Sequence, residues 1–155
     1  MKQEIEIAGT PQDFKLRPYE HHAQYYETDQ MGIIHHSNYV RWMEEARVDF
    51  LRQIGWSYDM LEKNGIFSPV TAIDCRYVSS TTFADEITIR IAVKEFRGVR
   101  LVLSYTMTKS DGTTACTGCS EHCFLHADGS FIRMKKEYPE FYRILSEMAA
   151  SEPDS

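Results

Sequence analysis

The chain changes its residue pattern at one segment, YYETDQMGIIHHSNY, which spans residues 25–39. Residues 19–26 predict a first strand that leads into this segment. After it, apolar residues recur at the spacing of an amphipathic helix, at Tyr39, Met43, Ala46 and Phe50. Asn38 stands where an N-cap is expected and Gly55 where a helix ends. We therefore predict a long helix over residues 38–54.

The second half of the chain follows a period of two residues. Alternation of apolar and polar side chains predicts strands with one buried and one solvated face, here over residues 73–77, 87–94 and 99–108. Short connectors carry turn residues, at Arg97-Gly98, Asp111-Gly112 and Asp128-Gly129, so neighbouring strands are expected to be antiparallel. Shorter predicted elements are a helical piece at 57–63, strands at 114–126 and 130–134, and a terminal helix at 139–148. This order predicts an α+β fold in which an antiparallel sheet wraps around one long central helix.

Length and composition favour a single globular domain. The chain has 155 residues, and we assign residues 14–148 to one domain and residues 1–13 and 149–155 to polar ends. The net charge of −6 disfavours nucleic acid and anionic membranes as partners. We see no apolar run long enough for a membrane span and no secretory signal, so we expect a cytoplasmic protein.

Three of the four cysteines form a run that has the residue types of a zinc site, Cys116-x-x-Cys119-x-x-x-Cys123, with His122 and His126 nearby. In a strand, however, Cys119 and Cys123 point to one face and the other three side chains to the opposite face. We therefore predict no metal site, and we expect the cysteines to be reduced thiols that pack as small hydrophobic residues.

The loop before the long helix gathers groups that can act in acyl transfer. Glu27 and Asp29 are carboxylates, and His35 and His36 titrate near neutrality. The loop ends at a helix N-terminus, whose unpaired backbone N–H groups can stabilise a developing negative charge. Loop Asp residues are more often turn formers or caps than catalysts, so composition alone favours a structural role.

The full spacing of the segment resembles the 4-hydroxybenzoyl-CoA thioesterase-like family of hot-dog proteins. The matching positions are Glu27, Asp29, Gly32, Ile33, Ile34, His36, Tyr39, Glu44, Ala46 and Arg47. The resemblance runs from about Tyr19 to Tyr142, and it departs from many members at Glu27, where they carry Asp. It implies a hot-dog fold, hydrolysis of an acyl-CoA to free acid and coenzyme A, and no metal or redox cofactor. It also implies a homodimer or homotetramer with active sites at the subunit interface, and it leaves acyl-carrier protein open as the acyl donor.

The resemblance also assigns roles to single residues. Asp29 would be the nucleophile or the general base. His36 would orient the substrate, and its backbone N–H would stabilise the oxyanion. Tyr25 corresponds to a family tyrosine near the acid, although a plain core tyrosine is an equal alternative. The predicted substrate-binding residues are Gly32, Ile34, Asn38 and Tyr39.

The sequence leaves two other activities open. A hot-dog hydratase or dehydratase would use Asp29 or Glu44 with a histidine, and a non-catalytic module would bind acyl-CoA as a sensor. We predict that Glu44 instead forms an ion pair with Arg47, three residues further along the helix. The basic residues Lys94, Arg97 and Arg100 could meet coenzyme A phosphates, but we predict a solvated turn.

Overall fold

The computed structural model describes residues 16–151. In chain order the elements are β1 (Tyr19–His22), a 3-10 turn (Tyr25–Glu27), α1 (Ser37–Gln53), α2 (Tyr58–Lys63), β2 (Val70–Tyr77), β3 (Glu86–Phe96), β4 (Arg100–Lys109), β5 (Thr114–Cys123), α3 (Met134–Glu137) and α4 (Pro139–Ser151). The strands form one antiparallel sheet in the order β1-β3-β4-β5-β2. This arrangement confirms the predicted α+β layout.

The core forms where α1 lies against the sheet. The apolar face of α1 consists of Trp42, Met43, Ala46 and Phe50, each at most 2% exposed. It belongs to one buried cluster with inward side chains of β3 and β4, among them Ile87, Ile89, Leu103 and Met107. Burial of each large apolar side chain contributes roughly 1.5–3 kcal/mol, so this face holds α1 on the sheet.

The C-terminal end of α1 is the one that the sequence predicts. Gly55 has a φ of +88°, and its N–H donates to the Arg52 carbonyl at 3.1 Å. The N–H of Trp56 donates to the Leu51 carbonyl at 3.0 Å. These two bonds form a Schellman motif, in which glycine adopts the left-handed conformation at low cost.

The N-terminal end differs from the prediction. The N-cap is His36 and the helix begins at Ser37, so the assignment of Asn38 as the N-cap is wrong. Asn38 is buried inside the first turn, and its amide Nδ2 donates to the carbonyls of Glu27 at 3.0 Å and His35 at 3.3 Å. The side chain therefore fastens the preceding loop rather than capping the helix.

Three shorter predictions need correction. The first strand ends at His22, because the chain turns into the 3-10 turn at residues 25–27. The strand expected at 130–134 is wrong: Phe131 makes one isolated bridge, and α3 follows, with the Glu137 carboxylate accepting the Arg133 N–H at 2.9 Å. Residues 149–151, expected in a polar tail, form the end of α4, while residues 1–15 and 152–155 lie outside the described chain.

β2 is an edge strand that leaves one side of the sheet open. It pairs with β5, from Val70 opposite His122 to Tyr77 opposite Cys116, and no strand of residues 16–151 covers its other side. Nearly all its side chains are exposed, including Ile73 at 40% and Tyr77 at 51%. Across the same residues, no helix combines the length and apolar character that a bilayer crossing requires.

Candidate active site

The loop between Glu27 and His35 is closed by two backbone hydrogen bonds. The N–H of His35 donates to the Glu27 carbonyl at 2.8 Å, and the N–H of Asp29 donates to the Ile33 carbonyl at 2.9 Å. Between them the chain turns at Gly32, whose φ of +80° lies in the left-handed region that favours glycine. The expected tight turn is therefore present, and it fixes the backbone of Asp29.

The carboxylate of Asp29 has one bonded and one unbonded oxygen. Its Oδ1 accepts the N–H of Met31 at 2.8 Å, which makes an Asx turn. Within the described chain, Oδ2 has no hydrogen-bond partner. The turn-forming role and a chemical role are thus compatible, because each uses a different oxygen.

Asp29 lies on the wall of a cavity of about 280 Å³. The loop and α1 supply Asp29, Met31, Ile33, Ile34, His36 and Tyr39, and the end of β2 with the residues after it supplies Tyr77, Val78, Ser79 and Ser80. Small-molecule sites typically have such largely apolar walls with a few polar groups. The cavity therefore places a carboxylate and an imidazole beside a surface that fits an acyl group.

Of the residues described, His36 has the backbone N–H group that is unpaired at the N-terminal end of α1. The N–H groups of Ser37 and Asn38 both donate to His35, to Nδ1 at 3.2 Å and to the carbonyl at 3.0 Å. Among residues 16–151, no acceptor lies within hydrogen-bond reach of the His36 N–H. The imidazole of His36 stacks on that of His35, with ring centroids 4.2 Å apart.

Two tyrosines line the cavity and hold its shape. The hydroxyl of Tyr39 lies 2.7 Å from Thr81 Oγ1, and burial raises the pKa of Tyr39 despite that hydrogen bond. The hydroxyl of Tyr77 donates to the His36 carbonyl at 3.2 Å. Desolvation, together with the nearby Cys75 thiol, raises the pKa of Tyr77 to about 12, so both phenols stay protonated at neutral pH.

Sequence reasoning missed Tyr77. The residue lies 48 positions after Asp29 in the chain, and only the path of β2 beside the loop brings it to the cavity. Its sole sequence signal is its place at the end of an alternating strand. The Tyr77 hydroxyl also bonds the carbonyl of His36, the residue whose N–H is unpaired, so it belongs to the same site.

Three predicted site residues lie outside this cavity. Tyr25 is 74% exposed and packs edge-on against Phe83, with ring centroids 5.6 Å apart. Gly32 shapes the turn, and buried Asn38 bonds the loop carbonyls. The structure therefore brings Asp29, His36, Ile34 and Tyr39 together, while the direct substrate roles of Tyr25, Gly32 and Asn38 stay predictions.

Glu27 anchors the loop from behind. The side chain is 6% exposed and accepts hydrogen bonds from the Gln24 N–H at 2.8 Å, Trp42 Nε1 at 2.9 Å and His21 Nε2 at 3.1 Å. Burial by itself would raise its pKa, but these bonds and the nearby His21 hold the pKa of Glu27 below its usual range. Glu27 is therefore an ionised anchor, a role that the sequence, which offers it as a loop carboxylate and a family position, does not predict.

The helix carboxylate Glu44 makes the ion pair that the sequence predicts. Arg47 Nε and Nη2 lie 3.2 and 3.1 Å from the two oxygens of Glu44, and Arg47 is buried while Glu44 is half-exposed. Unlike Asp29, Glu44 has both carboxylate oxygens bonded.

The cysteine run shows the predicted alternation. Cys116 and His122 are buried on the inner face of β5, while Cys119 and Cys123 lie on the outer face and are partly exposed. His122 Nε2 lies 2.7 Å from Ser120 Oγ. Among residues 16–151, no group of three or more His, Cys, Asp or Glu side chains is arranged to hold a metal ion.

Comparison with known proteins gives concordant matches. Residues 24–147 match a family described as the thioesterase-like superfamily. A crystal structure of a DHNA-CoA thioesterase from Staphylococcus aureus is 34% identical, with a TM-score of 0.82 over 86% of this chain and 90% of that one. YneP of Bacillus subtilis, provisionally named an acyl-CoA thioesterase, is 30% identical over 77% of this chain and 88% of YneP. The acyl-CoA thioester hydrolase YbgC of Escherichia coli is 28% identical over 57% of this chain and 67% of YbgC.

Proposed function

The chain belongs to the thioesterase-like superfamily and is an acyl-CoA thioester hydrolase, and we propose that Asp29 is its catalytic carboxylate. One observation carries this proposal. Asp29, which has one unbonded carboxylate oxygen, and His36, whose N–H is unpaired, line the same apolar cavity. The family match favours hydrolysis over the hydratase and sensor alternatives.

The reaction converts an acyl-CoA and water into a carboxylic acid and coenzyme A. As general base, Asp29 takes a proton from water while the water oxygen attacks the thioester carbon, and the C–S bond then breaks with protonation of the thiolate. As nucleophile, Asp29 itself attacks, the C–S bond breaks, and water hydrolyses the resulting anhydride. A single turnover in ¹⁸O-labelled water separates the routes, because attack of water on the Asp29 carbonyl of the anhydride labels the enzyme.

His36 supplies the oxyanion donor in this proposal. Negative charge develops on the thioester oxygen during attack, and a fixed N–H that has no other acceptor stabilises it without competing for a protein partner. The bond from the Tyr77 hydroxyl to the His36 carbonyl holds that part of the wall in place. Ile34 and Tyr39 supply apolar wall for the acyl group. Water and these side chains suffice for the reaction, so the proposal requires no cofactor.

The open edge of β2 supports a homo-oligomer. Exposed edge strands with apolar side chains tend to pair with another chain, and a second copy can pair through the same edge about a two-fold axis. Tyr77 lies on this edge and also lines the cavity, so the interface would border the active site. We expect a dimer or tetramer by light scattering, and a monomer for Ile73→Arg. Val99→Arg, at an exposed apolar residue of the β3–β4 turn, is the matched control.

A cytoplasmic location is part of the proposal. All four cysteines are free thiols, as expected in a reducing compartment, and burial raises the pKa of the Cys116 thiol to about 12. Cell fractionation with the full chain checks this assignment.

The direct test of the function is thiol release from benzoyl-, hexanoyl- and palmitoyl-CoA by wild type and Asp29→Asn. Asparagine keeps an oxygen for the Met31 N–H, so the turn is preserved while the carboxylate is removed. We expect wild type to hydrolyse at least one substrate and the variant to lose about 100-fold or more in kcat/KM. An undiminished rate in the variant would overturn the role of Asp29. The same panel presented on acyl-carrier protein identifies the preferred donor.

A further inference from the structure

A second polar cluster lies behind the catalytic loop and centres on His21. Its Nε2 lies 3.1 Å from Glu27 Oε1, and its Nδ1 lies 3.0 Å from Glu45 Oε1. The side chain is 11% exposed, and its ring centroid lies 4.6 Å from that of Trp42. One imidazole thus joins β1, the loop and α1.

The contacts of His21 define its charge. An ionised carboxylate only accepts hydrogen bonds, so each ring nitrogen must donate to its carboxylate. Neutral imidazole has one N–H group, whereas imidazolium has two. The remaining titratable group in direct contact with the cluster is Tyr19, whose hydroxyl donates to Glu45 Oε1 at 3.0 Å. Burial and the Glu45 contact raise the pKa of Tyr19 to about 12, so it stays neutral. The residue opposite His21 on β3 is Ile87, which carries no charge.

Glu27 links His21 to the loop that carries Asp29. Its side chain is bonded to β1 and α1, and its carbonyl accepts the His35 N–H at 2.8 Å and Asn38 Nδ2 at 3.0 Å. Glu27 therefore connects both ends of the loop, and Asp29 follows it by two residues. A shift of the Glu27 side chain would shift the backbone that carries the catalytic carboxylate.

We propose that His21, as an imidazolium, is a positioning residue that ties Glu27 to α1 and thereby fixes Asp29 against the cavity. The expected effect of His21 on kcat rests on the proposed function, whereas its expected effect on the structure of the loop does not. Misplacement of a reacting group by about 1 Å can cost about 100-fold in rate, so a residue remote from the cavity can affect catalysis.

The kinetic test compares His21→Asn with His22→Asn. His22 lies next to His21 on the same strand, and its contact with Glu86 is at the surface, which makes it a matched control. We expect His21→Asn to lower kcat by about 10- to 100-fold with little change in KM, since the cavity walls remain. His22→Asn should retain wild-type kinetics. Full kcat in His21→Asn would overturn the proposal.

Two further measurements on the full chain do not depend on activity. Ring nitrogen NMR should show two N–H groups on His21 in wild type, and a single N–H would overturn the imidazolium assignment. In His21→Asn, hydrogen exchange should accelerate at the Asp29 and His35 amides while amides between β4 and β5 keep their protection. Unchanged exchange at these two loop amides would overturn the proposal. If wild type hydrolyses no substrate, the proposed function is wrong, but the NMR and hydrogen-exchange measurements still test the role of His21.

Glu45→Gln provides a second variant if His21→Asn does not fold. It removes one of the two charges while keeping the shape of the side chain and an acceptor for Tyr19. Because one of the two carboxylate contacts remains, we expect a smaller loss of kcat, about threefold to tenfold. Wild-type kcat together with wild-type hydrogen exchange of the loop in Glu45→Gln would overturn the proposal that His21 positions the loop.

Discussion

Two histidines pack near α1, one partly buried and one fully buried, and their neighbours favour different charge states. His21 lies between the carboxylates of Glu27 and Glu45, the arrangement from which we propose an imidazolium. His122 lies on β5 near the buried guanidinium of Arg47, and burial, with that positive charge, lowers its pKa to about 3. The first histidine lies beside the loop that carries Asp29, while the second is in the closed core. Burial alone therefore does not decide the charge of a histidine; the charge and bonding of its neighbours do.

The largest effect that we expect is a loss of stability at low pH that arises from His122. Its folded-state pKa is about 3 and its unfolded value is 6.5, so the unfolded chain takes up a proton that the folded chain does not. This contribution to stability is fully present above pH 6.5, and it falls as the pH drops toward 3, by roughly 1.4 kcal/mol per pH unit. The total is roughly 5 kcal/mol.

Denaturant unfolding of wild type and His122→Gln at several pH values checks this expectation. Between pH 6.5 and about 3, the free energy of unfolding should fall less steeply with decreasing pH in the variant than in wild type, whatever the stability of the variant at neutral pH. Paired carboxylates such as Glu27 contribute to acid sensitivity in both proteins, so the difference isolates His122. Identical pH dependence would mean that the pKa of His122 is the same in the folded and unfolded chains, which removes the contrast with His21.

A smaller effect is expected when Trp42 is changed to Phe. Phenylalanine preserves most of the core packing but removes the Nε1 bond to Glu27 Oε2, leaving a buried carboxylate with one donor fewer. We expect a loss of roughly 1–3 kcal/mol in the free energy of unfolding. Because Glu27 anchors the loop, kcat should fall as well. Phe50→Leu, at another fully buried position on α1, is the control, since it should affect stability without affecting the loop.

The smallest effect is expected for Glu44→Gln. Arg47 keeps its bond to Tyr58 at 3.2 Å, and the side chain of Glu44 is 48% exposed, so solvent screens the ion pair. We expect a loss of less than about 1 kcal/mol in the free energy of unfolding. A much larger loss would show that the packing of α1 depends on the ion pair between Glu44 and Arg47.

Local patterns were enough to predict the elements that build the fold. The apolar stripe of α1, its stop at Gly55 and the alternation in β3 and β4 each follow from a few neighbouring residues. The expected strand at 130–134 failed because the contact between Glu137 and Arg133 favours a helical turn there. Short apolar runs give little information of their own, so one such contact can decide their conformation.

Only the loop of the candidate site could be predicted from the sequence. The spacing around Asp29 and His36 carries the family pattern, and Ile34 and Tyr39 follow from the same segment. Tyr77 reaches the cavity through the pairing of β2 with β5, which no local pattern specifies. The contacts of His21 likewise join three elements that are separate in the chain. Such positions depend on tertiary packing and become visible in the structure alone.

The most direct test of the central claim compares two carboxylates, Asp29→Asn and Glu44→Gln, by kcat/KM on the same acyl-CoA panel. One oxygen of Asp29 is unbonded and its side chain lines the cavity, whereas both oxygens of Glu44 are held by Arg47. We predict that Asp29→Asn loses about 100-fold or more, while Glu44→Gln stays within about fivefold of wild type. Retained activity in Asp29→Asn together with collapse in Glu44→Gln would contradict the account and assign catalysis to the helix carboxylate.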